Sequence, residues 1–164
     1  MTQAQAQAPQ TEPLDLEEWK PYEIDHLAQQ LVVKNRNKKD VLNESHKMRM
    51  AVAYGLERFW GERFRLEKDE KEKEKADYWK AVWKTLADEI LKPVGINLPN
   101  DEIKSDKTDK KEKEKEEKEE TDKIENMADR IWGMPQDDRE IALTVLAQFC
   151  DSLVWWTQRY KKKN

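Results

Sequence analysis

The chain has 164 residues, 40% of them charged and 37% apolar, and 31 basic against 35 acidic side chains leave a net charge of −4. That length allows one domain with tails, and four glycines with six prolines supply few turns, which favours helices over a β-sandwich. The lone Cys150 cannot staple its own fold, and no stretch approaches the roughly 18 to 20 apolar residues of a membrane span. Residues 1–14 lack the basic start and apolar stretch of a signal peptide, so a reducing, cytoplasmic setting without membrane contact is expected.

Residues 1–13 have almost nothing to bury and read as a disordered tail. Leu14, Leu16 and Trp19 suggest a short turn before Pro21. Ile24, Leu27, Ala28 and Leu31 then fall at helical spacing, predicting a helix over 22–33. A polar basic connection, 34–39, leads to Asp40, an expected N-cap. The next helix turns Val41, Met48, Val52, Leu56 and Phe59 inward, with Gly55 in its middle as a helix–helix contact point. Residues 67–75 are all charged and hold no helix breaker, so the helix is expected to continue through them; a loop between antiparallel helices is the competing reading. Trp79, Val82, Trp83, Leu86, Ala87 and Ile90 form an amphipathic stripe that Pro93 and Gly95 end, and Val94, Ile96 and Leu98 follow as an extended segment.

Residues 101–123 are low complexity, with eight Lys against eleven acids and Ile103 as the one apolar residue. They read as a charged linker, disordered or a lone exposed helix. Apolar periodicity resumes at Ile124, Met127, Ala128, Ile131 and Trp132, ended by Gly133 and Pro135. Asp137 and Glu140 resemble a capping box. From there Ala142, Leu146, Phe149, Leu153, Trp156 and Tyr160 recur at alternating steps of four and three, with Ile141, Val145 and Cys150 widening the stripe. A helix apolar on most sides is central or covered by a second chain. The expected fold class is therefore all-α, a bundle of four to five helices with a long charged insertion. Its parts are a tail at 1–13, an N-terminal helical part at 14–100, the linker at 101–123, and C-terminal helices at 124–164 that complete one domain.

Chemistry is sparse. Two histidines (His26, His46) and one cysteine cannot build a common zinc site, and four scattered glycines cannot build a phosphate loop. Glu23 and Asp25 beside His26 read as ordinary helix surface, since nothing marks a cleft. No catalytic site, cofactor or metal is expected. Binding features are clearer. Over 34–65 nine cations (Lys34, Arg36, Lys38, Lys39, Lys47, Arg49, Arg58, Arg63, Arg65) face four acids, whereas residues 1–33 carry one Lys and six acids. Cations and amides together suit phosphate contact, and the absence of a base-reading motif makes it backbone-directed. A solvated helix face is the competing reading.

Seven tryptophans are present. Trp19, Trp79, Trp83 and Trp132 fall on apolar stripes and are expected in the core. Trp155 and Trp156 point about 100° apart on a helix. Either one of them faces another subunit or a wide groove buries both. The tail Arg159-Tyr160-Lys161-Lys162-Lys163 suits a helix C-terminus, with a second phosphate contact as the alternative.

In size, helical content, the basic stretch Lys34–Arg65 and a closing helix reading Leu146-Ala147-Gln148-Phe149 through Leu153-Val154-Trp155-Trp156 to Arg159-Tyr160-Lys161, the chain resembles the small helical subunit of type III CRISPR effector complexes. The charged run 101–123 departs from that family's compact pattern. The resemblance implies copies stacked along a multi-subunit complex, contacting the backbone of guide RNA or target strand through the nine cations above. Trp155, Trp156 and Arg159 are the expected contacts to protein neighbours. The rival expectation is a helical adaptor or regulator that binds only protein.

Overall fold

In the computed structural model, residues 21–103 and 110–163 are described. The turn expected at Leu14 to Trp19, the tail at 1–13 and residues 104–109 of the charged run lie outside them. The described residues are all-helical, with six α-helices: α1 Pro21–Asn35, α2 Glu44–Ala51, α3 Leu56–Glu67, α4 Lys73–Thr85, α5 Lys110–Trp132 and α6 Gln136–Tyr160.

Helix α1 buries Ile24, Ala28 and Val32 at steps of four, the spacing of one helix face. The buried Asn35 ends it by donating from Nδ2 to the Leu31 carbonyl (2.7 Å), satisfying one of the orphan acceptors of the last turn. Asp40 stands before a 3₁₀ turn, Val41–Asn43, but makes no side-chain cap; it occupies the left-handed region (φ 60°) that reverses the chain, a conformation Asp tolerates.

Gly55 is not a contact point inside a helix. Its backbone (φ 100°, ψ 170°) lies in a region open essentially only to glycine, and there the chain breaks between the 3₁₀ turn Val52–Tyr54 and α3. The Gly55 carbonyl then accepts from Phe59 N–H (3.2 Å) and starts the new helix.

The expected continuous helix through 67–75 is also interrupted. Asp69 Oδ1 accepts from Lys71 N–H (3.0 Å) and caps a 3₁₀ turn, Glu70–Glu72. The chain reverses, so α4 runs antiparallel to α3. Phe59 lies 4.8 Å from Trp79 and 6.2 Å from Trp83 between ring centres, and Lys80 pairs with Glu67. Burial of both apolar faces explains the reversal: a large buried apolar side chain contributes about 1.5–3 kcal/mol, well above the few tenths from each exposed Glu–Lys pair that a straight helix would keep.

Past Thr85 the helix widens to π geometry over Leu86–Leu91 and ends at Lys92–Val94 and Gly95 (φ 83°), as Pro93 dictates. Ile96 and Leu98 are buried in an irregular segment, which Trp83 Nε1 ties down by donating to the Pro99 carbonyl (2.9 Å). Asp101 N–H donates to Met127 Sδ, and Ile103 is buried.

From Lys110 the charged run is the first part of α5, which continues unbroken to Trp132 and reaches the core through Met127 and Ile131. The backbone thus has no boundary at 123/124. Trp132 does not join the core: it sits on the helix end before the Gly133 turn and is 67% exposed.

Helix α6 begins after Pro135, and neither Asp137 nor Glu140 forms a capping box. Its Ala142, Val145, Leu146, Phe149, Cys150, Leu153 and Thr157 are buried, chiefly against α1 and α2. Near its C-terminal end Ser45 Oγ lies 2.7 Å from both Tyr78 Oη and Thr157 Oγ1, joining α2, α4 and α6 through buried hydroxyls. The buried Glu44 carboxylate accepts from Trp79 Nε1 (3.2 Å) and pairs with Lys47 (3.1 Å).

Gly55→Ala should cost about 1–3 kcal/mol in urea unfolding, because the new Cβ also meets Glu57 Oε2 at 3.1 Å. Gly61→Ala, inside α3 with open space at its Cβ, should gain up to about 1 kcal/mol; the reverse order contradicts this backbone.

Burial pushes the Cys150 thiol above its ordinary 9.0 and the Tyr78 phenol above its ordinary 10.0. The unfolded chain releases both protons at those lower values while the native chain keeps them. The contribution of these two groups to stability is therefore fully present below pH 9.0 and is lost as pH rises beyond it. Arg63, pushed down to about 10 by burial, opposes this only above that pH. Urea titrations at rising pH should show the fall, and Cys150 should resist thiol reagents until the chain unfolds; a flat profile with a reactive native thiol contradicts it.

Candidate nucleic-acid interface

The nine cations expected to contact phosphate do not share one face. Arg36 Nε donates to the Tyr160 carbonyl (2.7 Å), fastening the start of the 36–43 stretch to the end of α6. Lys161 leaves the helix in an extended conformation after its N–H donates to the Thr157 carbonyl (2.8 Å). Two segments far apart in sequence thereby line one open cleft of about 450 Å³. One side supplies Arg36, Asn37, Lys38, Lys39, Asp40, Leu42 and Asn43, and the other Lys161, Lys162 and Lys163. Six cations face one acid, Asp40. Lys38 Nζ is steadied by Asn35 Oδ1 (3.2 Å), and the lysines are otherwise exposed.

The remaining cations lie elsewhere. Lys34 lines a different depression beside Asp88 and Glu89. Lys47 pairs with Glu44, Arg49 with Asp151 (2.5 Å) and Arg65 with Glu62. The Arg58 guanidinium sits 5.2 Å over the Tyr54 ring. Arg63 is buried: it donates from Nε to the Trp60 carbonyl (2.9 Å) and lies over the Trp60 ring, so it is removed from any phosphate-contacting surface. Its period along α3, shared with Leu56, Phe59 and Leu66, turns it inward.

The end of α6 carries a run of aromatic rings. Trp156 Nε1 donates to Asp25 Oδ1 (3.0 Å), its ring stacks on Tyr160 (5.3 Å, 19°), and Tyr160 Oη accepts from Gln29 Nε2 (2.9 Å). Trp156 is thus largely an α1–α6 contact within the chain. Trp155 is 48% exposed, edge-on to Trp156 (4.6 Å), with the Arg159 guanidinium 3.8 Å over its ring. At the far end of α6, Arg139 bridges Glu57 and the Ile131 carbonyl and lies 5.5 Å over exposed Trp132.

His26 and His46 are both exposed. Among the described residues no group of three or more His, Cys, Asp or Glu is placed to hold a metal ion, and no helix is long and apolar enough to cross a membrane. Comparison with protein-family models, curated proteins and solved structures finds no match.

The two-segment cleft was half legible: Arg36, Lys38 and Lys39 belong to the basic stretch, and the lysine tail carried a phosphate alternative. Their meeting depends on α1 packing along α6, which no local pattern encodes.

Arg63→Glu should cost about 3–5 kcal/mol, since it buries an unpaired anion near Glu67. Arg58→Glu, on the surface, should change stability by less than about 0.5 kcal/mol. Equal melting temperatures for the two variants contradict the placement of Arg63.

Proposed function

We propose that this chain is a non-catalytic helical subunit of a nucleoprotein complex, of the kind the CRISPR small-subunit resemblance implies, and that it contacts nucleic-acid backbone through the cleft between residues 36–43 and 161–163. One observation carries the reading: six cations from two segments converge there with one opposing acid, in a chain whose overall charge is −4. Net charge would repel a polyanion, so attraction has to be local. Exposed lysines are mobile point charges that suit a row of phosphates, and releasing the counterions condensed on the nucleic acid drives such binding. Of the cleft's planar groups, Arg36 has its Nε committed to Tyr160, and Asn37 and Asn43 stand on the 36–43 connection and not on a helix or ribbon that could enter a groove, which supports recognition of backbone over sequence.

The second reading, an adaptor that binds only protein, is favoured by Trp132, whose ring is two-thirds exposed at the α5–α6 corner. It requires the purified chain to ignore nucleic acid.

In fluorescence-anisotropy titrations across a salt series, wild-type binding to short RNA and DNA should weaken steeply with salt. Lys161→Glu with Lys162→Glu should lower affinity at least about tenfold and flatten the salt slope by about one per lysine. Arg65→Glu, whose residue is paired with Glu62 outside the cleft, should change neither. Wild-type protein that binds no nucleic acid at low salt, or a tail variant with unchanged affinity, sinks the backbone reading.

A further inference from the structure

The aromatic run on α6 leads directly into the basic cleft. Tyr160, last residue of the helix, stacks on Trp156 and is bonded through its carbonyl to Arg36; Lys161 follows it into the cleft. Trp156 and Tyr160 are fixed by Asp25 and Gln29, so the rings they present do not swing freely. Trp155 rests against that braced pair and is the ring of the run left half open to solvent.

We propose that Trp155, with Arg159 stacked on it, is a base-stacking platform, so that the ligand of the basic cleft is single-stranded nucleic acid. This rests on the backbone-binding reading and specifies its ligand. The Arg159 guanidinium lies over the open indole, the acid one turn back, Asp151, is paired with Arg49, and Asp25 is bonded to Trp156, so a cation is the group presented with the ring, which suits a ligand that is itself aromatic and anionic. Trp132 also lies under an arginine, but Arg139 is committed to Glu57 and the Ile131 carbonyl, and that ring stands at the other end of α6 from the lysine tail. From Trp155 to Lys161 is six residues, roughly 9 Å along a helix axis. The two positions also lie about 120° apart around the axis, so a single strand engaging both would wrap the end of α6 from the indole to the lysine tail. In a duplex each base is already paired and stacked and cannot reach an indole on a convex helix end. Aromatic stacking tolerates any base, so this contact leaves the cleft indifferent to sequence while making it selective for unpaired strands.

The test uses the full chain and three labelled probes of equal length: an oligouridine strand, a strand with the same backbone but abasic at every position, and an RNA duplex. Wild-type protein should bind oligouridine more tightly than either of the others. Trp155→Ala should lower oligouridine affinity about tenfold, leave abasic-strand affinity and the salt slope unchanged, and so erase the preference. Trp155→Phe should retain most of it. Circular dichroism checks that the variants fold; should Trp155→Ala fail to, the wild-type comparison of oligouridine with the abasic strand still decides. Equal wild-type affinity for those two strands, or a folded Trp155→Ala with full affinity, overturns the platform while salt-sensitive binding leaves the backbone reading standing. No binding to any probe overturns both.

Discussion

Burying α6 is the constraint on which the rest of this structure depends. Its Ala142, Leu146, Phe149 and Leu153 point one way and Val145, Cys150 and Thr157 widen the buried surface, so a single neighbouring helix cannot cover it. Helices α1 and α2 pack along it, and α3 and α4, packed on one another through Phe59, Trp79 and Trp83, close the far side of the core. Apolar burial alone tolerates sliding. The register is held by Ser45, whose hydroxyl meets both Tyr78 and Thr157: a shift of one residue would leave three buried hydroxyls without partners, each at about 1–3 kcal/mol.

That register determines what happens at the surface. With Thr157 held in the last turn of α6, Trp156 reaches Asp25, Tyr160 reaches Gln29, and the Tyr160 carbonyl meets Arg36. Each contact ties the last turns of α6 to α1 or to the chain just beyond it. The lysine tail then has to leave the helix beside the 36–43 stretch. The basic cleft is thus a product of core packing: none of its cations is buried, and they are held together by a frame whose determinants lie one to three turns away.

The sequence exposed most of the elements and less of their breaks. The stripes of α1, α4 and α6 are long and regular, and periodicity places Ile24, Val82, Leu146 and Phe149 inside with no knowledge of the fold. Gly55 was misleading because the apolar period runs on across it; its role shows only in a backbone conformation that side chains exclude. The run 67–75 contains good helix formers and no proline or glycine, so local preference favours a helix throughout. What breaks it is tertiary, the need of α3 and α4 to bury their tryptophan faces on each other, with Asp69 as the small local concession. Trp132 obeys the α5 period yet stands in solvent because the helix ends there. The pattern of nine cations over 34–65 located a basic region but not a surface, since charge counts do not say which face of a helix a residue takes; Arg63 is the clearest instance. The end of the chain mattered more than its own sequence could show.

The central claim is that a loop after α1 and the tail after α6 act as one anion-binding surface. Lysine acetylation footprinting of the intact chain, with and without a saturating single strand, addresses it most directly, because each lysine reports separately. Joint protection of Lys38, Lys39, Lys161, Lys162 and Lys163, with Lys68, Lys71 and Lys113 unaffected, is the expected result. Protection of one segment without the other, or protection centred on the charged first half of α5, contradicts it.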